Sequence, residues 1–358
     1  MERRQAAEEV LAAGRELVAR GLVARTWGNI SCRVDDETFV ITPSGIDYGR
    51  LTPDTIVPVS IKDLSHQGPV KPSSEKGIHA AAYRLNPDTH FVIHTHQTYA
   101  SCLGLAGSKA LKLTAQEEKT MGGPVLLASY GLPGSKSLRK NVASRLLEGR
   151  VILMEKHGAL ITGNSRETAF RRALLLEEVC SRAMAGLHFS QEPPDGVSCI
   201  GPEGSLRYRD QAGDRPLDVP ADAAQRLHLA LRQARPEFPF ILHRTSPVIQ
   251  ALLEQTDRLP ALLDDFAQLV GSDIRRVSGE DQACLLKASR GRNAILAGSL
   301  GVFCYAGEES DAQAILTLVE KNALCYMNAA RYGKPKALSL LDRKLMRFVY
   351  LKKYAAKK

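Results

Sequence analysis

The sequence lacks the features that mark membrane-spanning, secreted and zinc-finger proteins. No apolar run approaches the roughly 18 residues that a membrane helix needs. The first residues lack the apolar stretch of a secretion signal. The seven cysteines are scattered and form no C-x-x-C pair, a pattern typical of reduced thiols in a cytosol. We therefore expect a cytoplasmic protein without a membrane partner.

The chain also lacks a basic motif studded with aromatic residues, although its net charge is +9. Much of the excess positive charge lies in a C-terminal basic stretch that begins at Arg343. We expect no nucleic-acid partner, because recognition motifs do not accompany this charge. A phosphorylated metabolite remains compatible with it. The length of 358 residues is enough for two domains, each with its own core.

An apolar run, residues 91–93, leads into two histidines that are separated by one residue. The run favours a buried strand. On a strand His94 and His96 would point to the same face, because alternate side chains share a face. Two imidazoles at the end of a strand can chelate a divalent metal. Two ordinary buried histidines are the alternative at this point.

A second histidine segment and a serine-rich segment accompany this strand. His157 stands between two apolar runs, with Gly158 beside it for a tight turn. Ser73 and Ser74 open a predicted helix, and Glu75 follows them. Serines at a helix start either cap free N–H groups or help to hold a phosphate, and both interpretations remain open.

Three histidines with a nearby glutamate fit a catalytic metal site better than a structural one. Three protein ligands leave an open position, and there a metal can polarise a carbonyl group. A glutamate that is not needed as a ligand can move a proton. Neutral donors for a phosphate are available on nearby loops, namely Asn29, Ser44, Gly45, Ser73 and Ser74.

The second half of the chain repeats the first half in altered form. Residues 78–94 match residues 227–243, and residues 151–163 match residues 294–307. The repeat loses most candidate ligands, since Ala224, Thr245 and Leu300 align with Glu75, His96 and His157, and only His243 remains. The front section with the Asn29 and Ser44 loops has no evident counterpart. We expect the second copy to be chemically silent.

Five segments in this order resemble the class II aldolase/adducin family, typified by fuculose-phosphate aldolase. They are residues 28–31, 42–45, 73–75, 94–96 and 156–158. The resemblance implies an α/β fold, a three-layer α/β/α unit with a mainly antiparallel central sheet, here duplicated. It also implies that His94, His96 and His157 hold one zinc ion, or another divalent metal, per chain. Glu75 would be the acid/base, and Asn29, Ser44, Gly45, Ser73 and Ser74 would bind the substrate phosphate.

The resemblance divides the chain into an aldolase-like domain with an intact metal site (1–190), a linker (191–220) and a degenerate domain without a metal site (221–358). It implies an aldehyde-lyase that reversibly cleaves a phosphorylated ketose to dihydroxyacetone phosphate and an aldehyde. An epimerase, dehydratase or decarboxylase using the same site is the first alternative. A non-catalytic, adducin-like interaction protein is the second.

Two features depart from the family pattern. Aldolases of this family carry a tyrosine proton donor on the strand after the histidine pair, but Leu127 stands at or near that position. Tyr130 is the nearest candidate. Family members with one copy assemble as fourfold rings, so we expect a homo-oligomer. A dimer of tandem chains could then form a pseudo-tetramer.

Overall fold

The chain folds into two compact units, Met1–Gly186 and Leu187–Lys358. The structure is a computed structural model. It describes all residues except 24–26, 107–110, 185, 187, 190–191, 202–203, 334 and 354–358. Among the described residues, no helix combines the length and the hydropathy needed to cross a membrane.

A seven-stranded sheet forms the centre of the first unit. Its strands are β1 (Asn29–Arg33), β2 (Thr38–Ile41), β3 (Val57–Ser60), β4 (Phe91–Thr95), β5 (Val125–Ala128), β6 (Val151–Met154) and β7 (Gly158–Gly163). They lie in the order β3-β2-β1-β4-β7-β6-β5, and only the β5–β6 pair is parallel. The predicted mainly antiparallel sheet is thus confirmed.

Helices cover both faces of this sheet. They are α1 (Arg3–Ala19), α2 (Lys76–Leu85), α3 (Thr98–Ala106), α4 (Ala115–Met121), α5 (Lys136–Leu146) and α6 (Arg166–Arg182). Helices α2 and α5 pack over one face, on a core that includes Val92 and Leu160. Helices α1, α3 and α6 contact the same strands from the other side. The result is the expected three-layer α/β/α unit, in which β4 is buried throughout because both faces are covered.

The second unit has its own strands and helices. The strands are β8 (Gly196–Ile200), β9 (Leu206–Asp210), β10 (Gly213–Pro216), β11 (Phe240–Arg244), β12 (Arg258–Pro260), β13 (Asp273–Arg275), β14 (Ala294–Leu296) and β15 (Val302–Ala306). The helices are α7 (Ala223–Ala234), α8 (Pro247–Gln255), α9 (Asp264–Leu269), α10 (Gln282–Ser289), α11 (Glu309–Ala330) and α12 (Leu340–Lys353). Strands β12 and β13 form a separate two-stranded sheet.

The six-stranded sheet of the second unit has the order β10-β9-β8-β11-β15-β14. This order matches that of β3-β2-β1-β4-β7-β6 in the first unit. A parallel bridge joins Arg276, next to β13, to Leu296 on β14, much as β5 runs parallel to β6. The strand order therefore supports the duplicated arrangement that the sequence repeat predicts.

The prediction that residues 191–220 form an irregular linker is wrong. Strands β8, β9 and β10 lie within this segment and form one edge of the second sheet. They are hard to recognise from sequence because β9 alternates Arg207 and Arg209 with a buried Tyr208, and β10 has no buried residue. The second unit thus retains the front section that the sequence predicts to be missing.

Candidate metal centre

The end of β4 lies between β1 and β7, and this position determines what surrounds the histidine pair. His94 is opposite Asn29 on β1 and opposite Leu160 on β7. Its side chain is fully buried. Thr95 points away and bonds to Gln97, as the alternation of a strand requires. His96 follows the last residue of the strand and shares the face of His94.

His157 is carried by the turn between β6 and β7. Gly158 lies so close to β4 that a Cβ atom added there would be 2.2 Å from the carbonyl oxygen of Thr95. A side chain at position 158 would therefore push the β6–β7 turn away from β4. Glycine at this position is what lets His157 approach His94.

We expect Gly158→Ala to lower the free energy of unfolding by about 1–3 kcal/mol, because the added methyl group meets the main chain of β4. Gly307→Ala is the matched control, since nothing lies within 4 Å of a Cβ atom at Gly307. Urea denaturation of both variants measures the difference. Equal stabilities would contradict the close approach described here.

The three histidines converge at their Nε2 atoms. The Nε2 atom of His94 is 3.1 Å from that of His96 and 3.0 Å from that of His157. Among the described residues, these three form the one cluster of three or more potential ligands close enough to share an ion. Nitrogen ligands around a tetrahedral zinc ion are about 3.3 Å apart, given Zn–N bonds of about 2.0–2.1 Å. The spacing fits such a site.

The hydrogen bonding of His94 suits a metal ligand. Its Nδ1 atom is 2.9 Å from the carbonyl oxygen of Ala159. A carbonyl oxygen can only accept, so Nδ1 carries the proton and donates it. In the neutral ring Nε2 then presents its lone pair to the other two histidines. Backbone contacts of this kind fix the tautomer of metal-bound histidines.

Glu75 completes the cluster from the start of α2. Its Oε1 atom lies 2.9 Å from Nε2 of His157, and its Oε2 atom lies 3.2 Å from Nε2 of His94. Burial opposes ionisation, but the neighbouring imidazoles of His94 and then of His157 hold the pKa of Glu75 well below its usual range. Both oxygens of this buried carboxylate therefore lie against imidazole nitrogens. An ionised carboxylate beside three imidazoles fits a site for a cation.

Glu75 itself is the N-cap residue of α2, and its side chain does not cap the helix. Ser73, two residues before this N-cap, accepts a hydrogen bond at Oγ from the backbone N–H of Glu75, at 3.2 Å, and so caps one free N–H group at the helix start. The cap position turns the Glu75 carboxylate away from the helix axis and towards the histidines.

The two loops predicted to bind phosphate lie side by side. Pro43 and Pro72 form an antiparallel bridge, and the N–H of Ser44 donates to the carbonyl oxygen of Lys71 at 2.9 Å. The N–H of Ser73 donates to Thr42 at 3.1 Å. Gly45, with φ of +75°, and Ser74 are exposed next to this bridge, whereas Ser73 is buried. The structure thus brings the serine loops together.

Asn29, the fifth residue predicted to bind phosphate, contacts Glu75. Its Nδ2 atom donates to Oε2 of Glu75 at 3.0 Å, and the side chain is 5% exposed. Its Oδ1 atom lies 2.5 Å from Nε2 of His79. The sequence shows no sign of these contacts, since 46 residues separate Asn29 from Glu75.

Tyr130 and Lys156 form a pair beside the His157 turn. The Nζ atom of Lys156 lies 5.6 Å from the centre of the Tyr130 ring. Lys156 has φ of +63°, a left-handed conformation that is uncommon for a residue other than glycine. The backbone N–H of Tyr130 donates to Glu155 at 3.0 Å. Leu127 lies on β5, and Tyr130 follows the end of that strand and contacts Glu155 and Lys156 next to the turn.

In the second unit, neighbouring side chains fill the space at the position equivalent to Asn29. Gly196 is opposite His243, just as Asn29 is opposite His94. A Cβ atom at Gly196 would lie 2.2 Å from the Tyr208 hydroxyl and 2.6 Å from His243. The His243 ring bonds through Nδ1 to Nε2 of His228, at 2.9 Å. The side chains of Tyr208 and His243 thus fill the space that Asn29 would need.

An α/β/α unit in which the end of a central strand, a turn and the start of a helix bring three histidines and a glutamate together defines a candidate metal-site protein of the class II aldolase type. The chain belongs to the class II aldolase and adducin family. Residues 8–184 match the family described as "Class II Aldolase and Adducin N-terminal domain". This match falls within the first unit.

Similar proteins are enzymes that act on small phosphorylated compounds. The chain is 32% identical over 171 residues to a 3-oxo-tetronate 4-phosphate decarboxylase of Haemophilus influenzae, covering 46% of this chain and 80% of the relative. It is 34% identical over 160 residues to a 5-methylthioribulose-1-phosphate/5-deoxyribulose-1-phosphate aldolase of Escherichia coli, covering 45% and 74%. The structure of an L-fuculose-1-phosphate aldolase of Thermus thermophilus aligns with a TM-score of 0.43 at 28% identity, covering 51% of this chain and 96% of that chain.

Proposed function

We propose that the first unit is a zinc-dependent aldolase. It reversibly cleaves a phosphorylated ketose to dihydroxyacetone phosphate and an aldehyde. The observation that carries this proposal is the convergence of three Nε2 atoms on an ionised, buried carboxylate. His94, His96 and His157 would hold the zinc ion, which supplies Lewis-acid chemistry to the substrate carbonyl when bound.

Glu75 is the proton carrier in this proposal. The donor Asn29 holds the Oε2 atom, so Oε1, which lies beside His157, is the atom that would exchange a proton with the substrate. Cleavage breaks the bond between the α- and β-carbons of the substrate, one bond removed from its carbonyl group. Glu75 delivers a proton to the carbon that keeps the electron pair and withdraws one in the reverse direction. Tyr130 is the candidate that exchanges the proton of the aldehyde oxygen.

The serine loops would hold the phosphate of the substrate. Ser44, Ser73 and Ser74 carry hydroxyl groups beside the start of α2, and Gly45 and Ser74 carry exposed backbone segments there. The start of a helix attracts anions through its dipole and its free N–H groups. These groups would bind the substrate at the end distant from the bond that breaks.

We expect Ser74→Ala to raise KM for a phosphorylated substrate by roughly tenfold, with little change in kcat, because one hydrogen bond to a charged group is lost. Ser137→Ala is the control, since Ser137 is also exposed but lies on α5. Steady-state kinetics with a phosphorylated ketose and its dephospho form measure the effect. An unchanged KM in Ser74→Ala would remove Ser74 from the phosphate site.

Decarboxylation of a phosphorylated 3-oxo acid is the second candidate function. Leu127 stands where the family resemblance expects the tyrosine donor, and a decarboxylase is among the similar proteins. Loss of carbon dioxide leaves its electron pair on the adjacent carbon, which then takes one proton. The departing carbon dioxide needs no proton donor, so this reaction tolerates the leucine.

A panel of substrates separates the two candidates. Ketose 1-phosphates and 3-oxo acid phosphates are incubated with the zinc-loaded protein, and triose phosphate and carbon dioxide are measured in parallel. The aldolase proposal predicts release of triose phosphate. Carbon dioxide alone would favour the decarboxylase. Neither product would contradict both candidates and favour an epimerase, a dehydratase or a non-catalytic interaction protein.

We also propose that the second unit is a degenerate copy that binds no metal. Its strand order repeats that of the first unit, and Ala224, Thr245 and Leu300 stand at the positions of Glu75, His96 and His157. The remaining His243 is bonded to His228 and packs against Phe303. One imidazole already engaged by a neighbour is a poor metal site.

A further inference from the structure

A chain of buried polar side chains runs behind Glu75, away from the histidine cluster. Asn29 contacts His79 at 2.5 Å, and the Nδ1 atom of His79 lies 2.6 Å from the Ser31 hydroxyl. The Ser31 hydroxyl lies 2.6 Å from the hydroxyl of Tyr83. His79 and Ser31 are fully buried, and Tyr83 is 2% exposed. The residues come from β1 and α2, so the chain joins the sheet to the helix.

The direction of every hydrogen bond in this series of side chains follows from the Asn29 amide. Its Nδ2 atom donates to Oε2 of Glu75, and its Oδ1 atom therefore faces His79. Oδ1 can only accept, so Nε2 of His79 carries a proton. A neutral ring has one N–H group, and Nδ1 must therefore accept from Ser31. Ser31 has one hydroxyl proton and donates it to His79, so the Tyr83 hydroxyl must donate to the Ser31 oxygen.

The surroundings keep His79 neutral, as this direction requires. Burial lowers the pKa of His79 to about 3, and the charge of His94 adds to the effect. A protonated ring would carry a second N–H group facing Ser31 and would reverse the bonds on that side. The hydrogen bonds from Tyr83 to Asn29 therefore have one possible set of directions, because each acceptor determines which neighbouring group must donate.

The second unit retains part of this series of hydrogen bonds but does not connect it to a carboxylate. Ser198 bonds to Nδ1 of His228 at 2.8 Å, as Ser31 bonds to His79. Nε2 of His228 then meets His243 instead of an asparagine. Arg232 replaces the tyrosine hydroxyl as the donor to Ser198. Both units thus contain the serine–histidine pair, whereas among the described residues only the first unit has an asparagine that links this pair to a carboxylate.

We propose that His79 is a positioning residue that holds the Asn29 amide against Oε2 of Glu75. The one-directional chain from Tyr83 fixes the amide from behind, and the amide fixes one oxygen of the carboxylate. Oε1 then keeps its place beside His157, where a substrate proton would be exchanged. The consequence for turnover rests on the proposed function, whereas the direction of the bonds does not.

Two conservative variants separate positioning from a merely structural role. A glutamine at position 79 places an N–H group near the position of Nε2 and can still donate to Asn29. An asparagine is too short to reach Asn29, although it can accept from Ser31. We expect His79→Asn to lower kcat by roughly 10- to 100-fold with KM little changed, and His79→Gln to stay within about threefold of the parent. Equal kcat values in the two variants, with bound zinc unchanged, would overturn the positioning role.

Nitrogen NMR of the histidine rings tests the direction of the chain without any substrate. In the 15N-labelled full-length protein at pH 7, we expect the His79 ring to be neutral with its proton on Nε2. The signal is assigned by its loss in His79→Gln. A proton on Nδ1, or a doubly protonated ring, would overturn the proposal. If the parent turned over no substrate, the proposed function would fail, and this spectrum alone would decide the proposal for His79.

Discussion

Glu75→Gln should lower the turnover of a phosphorylated ketose by about 10²- to 10⁴-fold, the usual contribution of a positioned acid or base. Glutamine has nearly the same shape and can still accept the Asn29 hydrogen bond through its amide oxygen. It cannot take up a proton at neutral pH. Because the three histidines are untouched, we expect the metal content to remain that of the parent.

Glu178→Gln is the matched control for this prediction. Glu178 lies on α6, and its side chain is 66% exposed in a surface pair with Arg182. Exposed pairs of this kind contribute little to stability. Coupled assays of product release and metal analysis on both variants give the comparison. A Glu75→Gln protein with near-normal turnover would show that another group moves the proton.

Removal of the metal should lower the stability of the first unit by a large amount. With free zinc at about 1,000 times its dissociation constant, binding adds about 4 kcal/mol to the stability of the folded state. For a unit of this size, that corresponds to a shift of roughly 8–16 °C in Tm. The shift arises because the histidines are gathered from β4 and from the β6–β7 turn only when the unit is folded.

Scanning calorimetry with zinc and after chelation measures this shift. His96→Ala is the informative variant, since it removes one ligand that lies beyond the end of β4. We expect its Tm to be the same with and without zinc. His243→Ala, which alters the second unit, should keep the full zinc response. A zinc response that His96→Ala retained would place the ion elsewhere.

The sequence predicts the parts of the site that depend on local pattern. The apolar run before His94 and the alternation of His94 and His96 suffice to place two histidines on one face of a strand. The segment 156–158 predicts the turn that carries His157. These features can be predicted because they depend only on residues that are close to one another in the sequence.

The sequence does not reveal the contacts that depend on pairing between distant strands. Asn29 reaches Glu75 because β1 lies antiparallel to β4 with Asn29 opposite His94. That register cannot be read from residues 27–34 alone. The sequence favours a structural role for His79, since both copies carry a histidine at this position. Its bonds to Asn29 and Ser31 become visible only when α2 lies over β1.

The second unit is the part that the sequence predicts least well. Strands β8–β10 lie in a segment that is rich in proline, glycine and aspartate, which is typical of an irregular connection. Edge strands with charged side chains lack the apolar alternation of buried strands. Pairing of β8 with β11 at His243 makes these residues a sheet.

Metal content, measured by mass spectrometry on protein purified without a metal-binding tag, tests the central claim most directly. The parent protein and His96→Ala are compared after incubation with zinc and removal of the excess. We predict about one zinc ion per chain in the parent and almost none in His96→Ala, since one cluster of three histidines is the site. No zinc in the parent, or an amount that His96→Ala retains, would contradict the account.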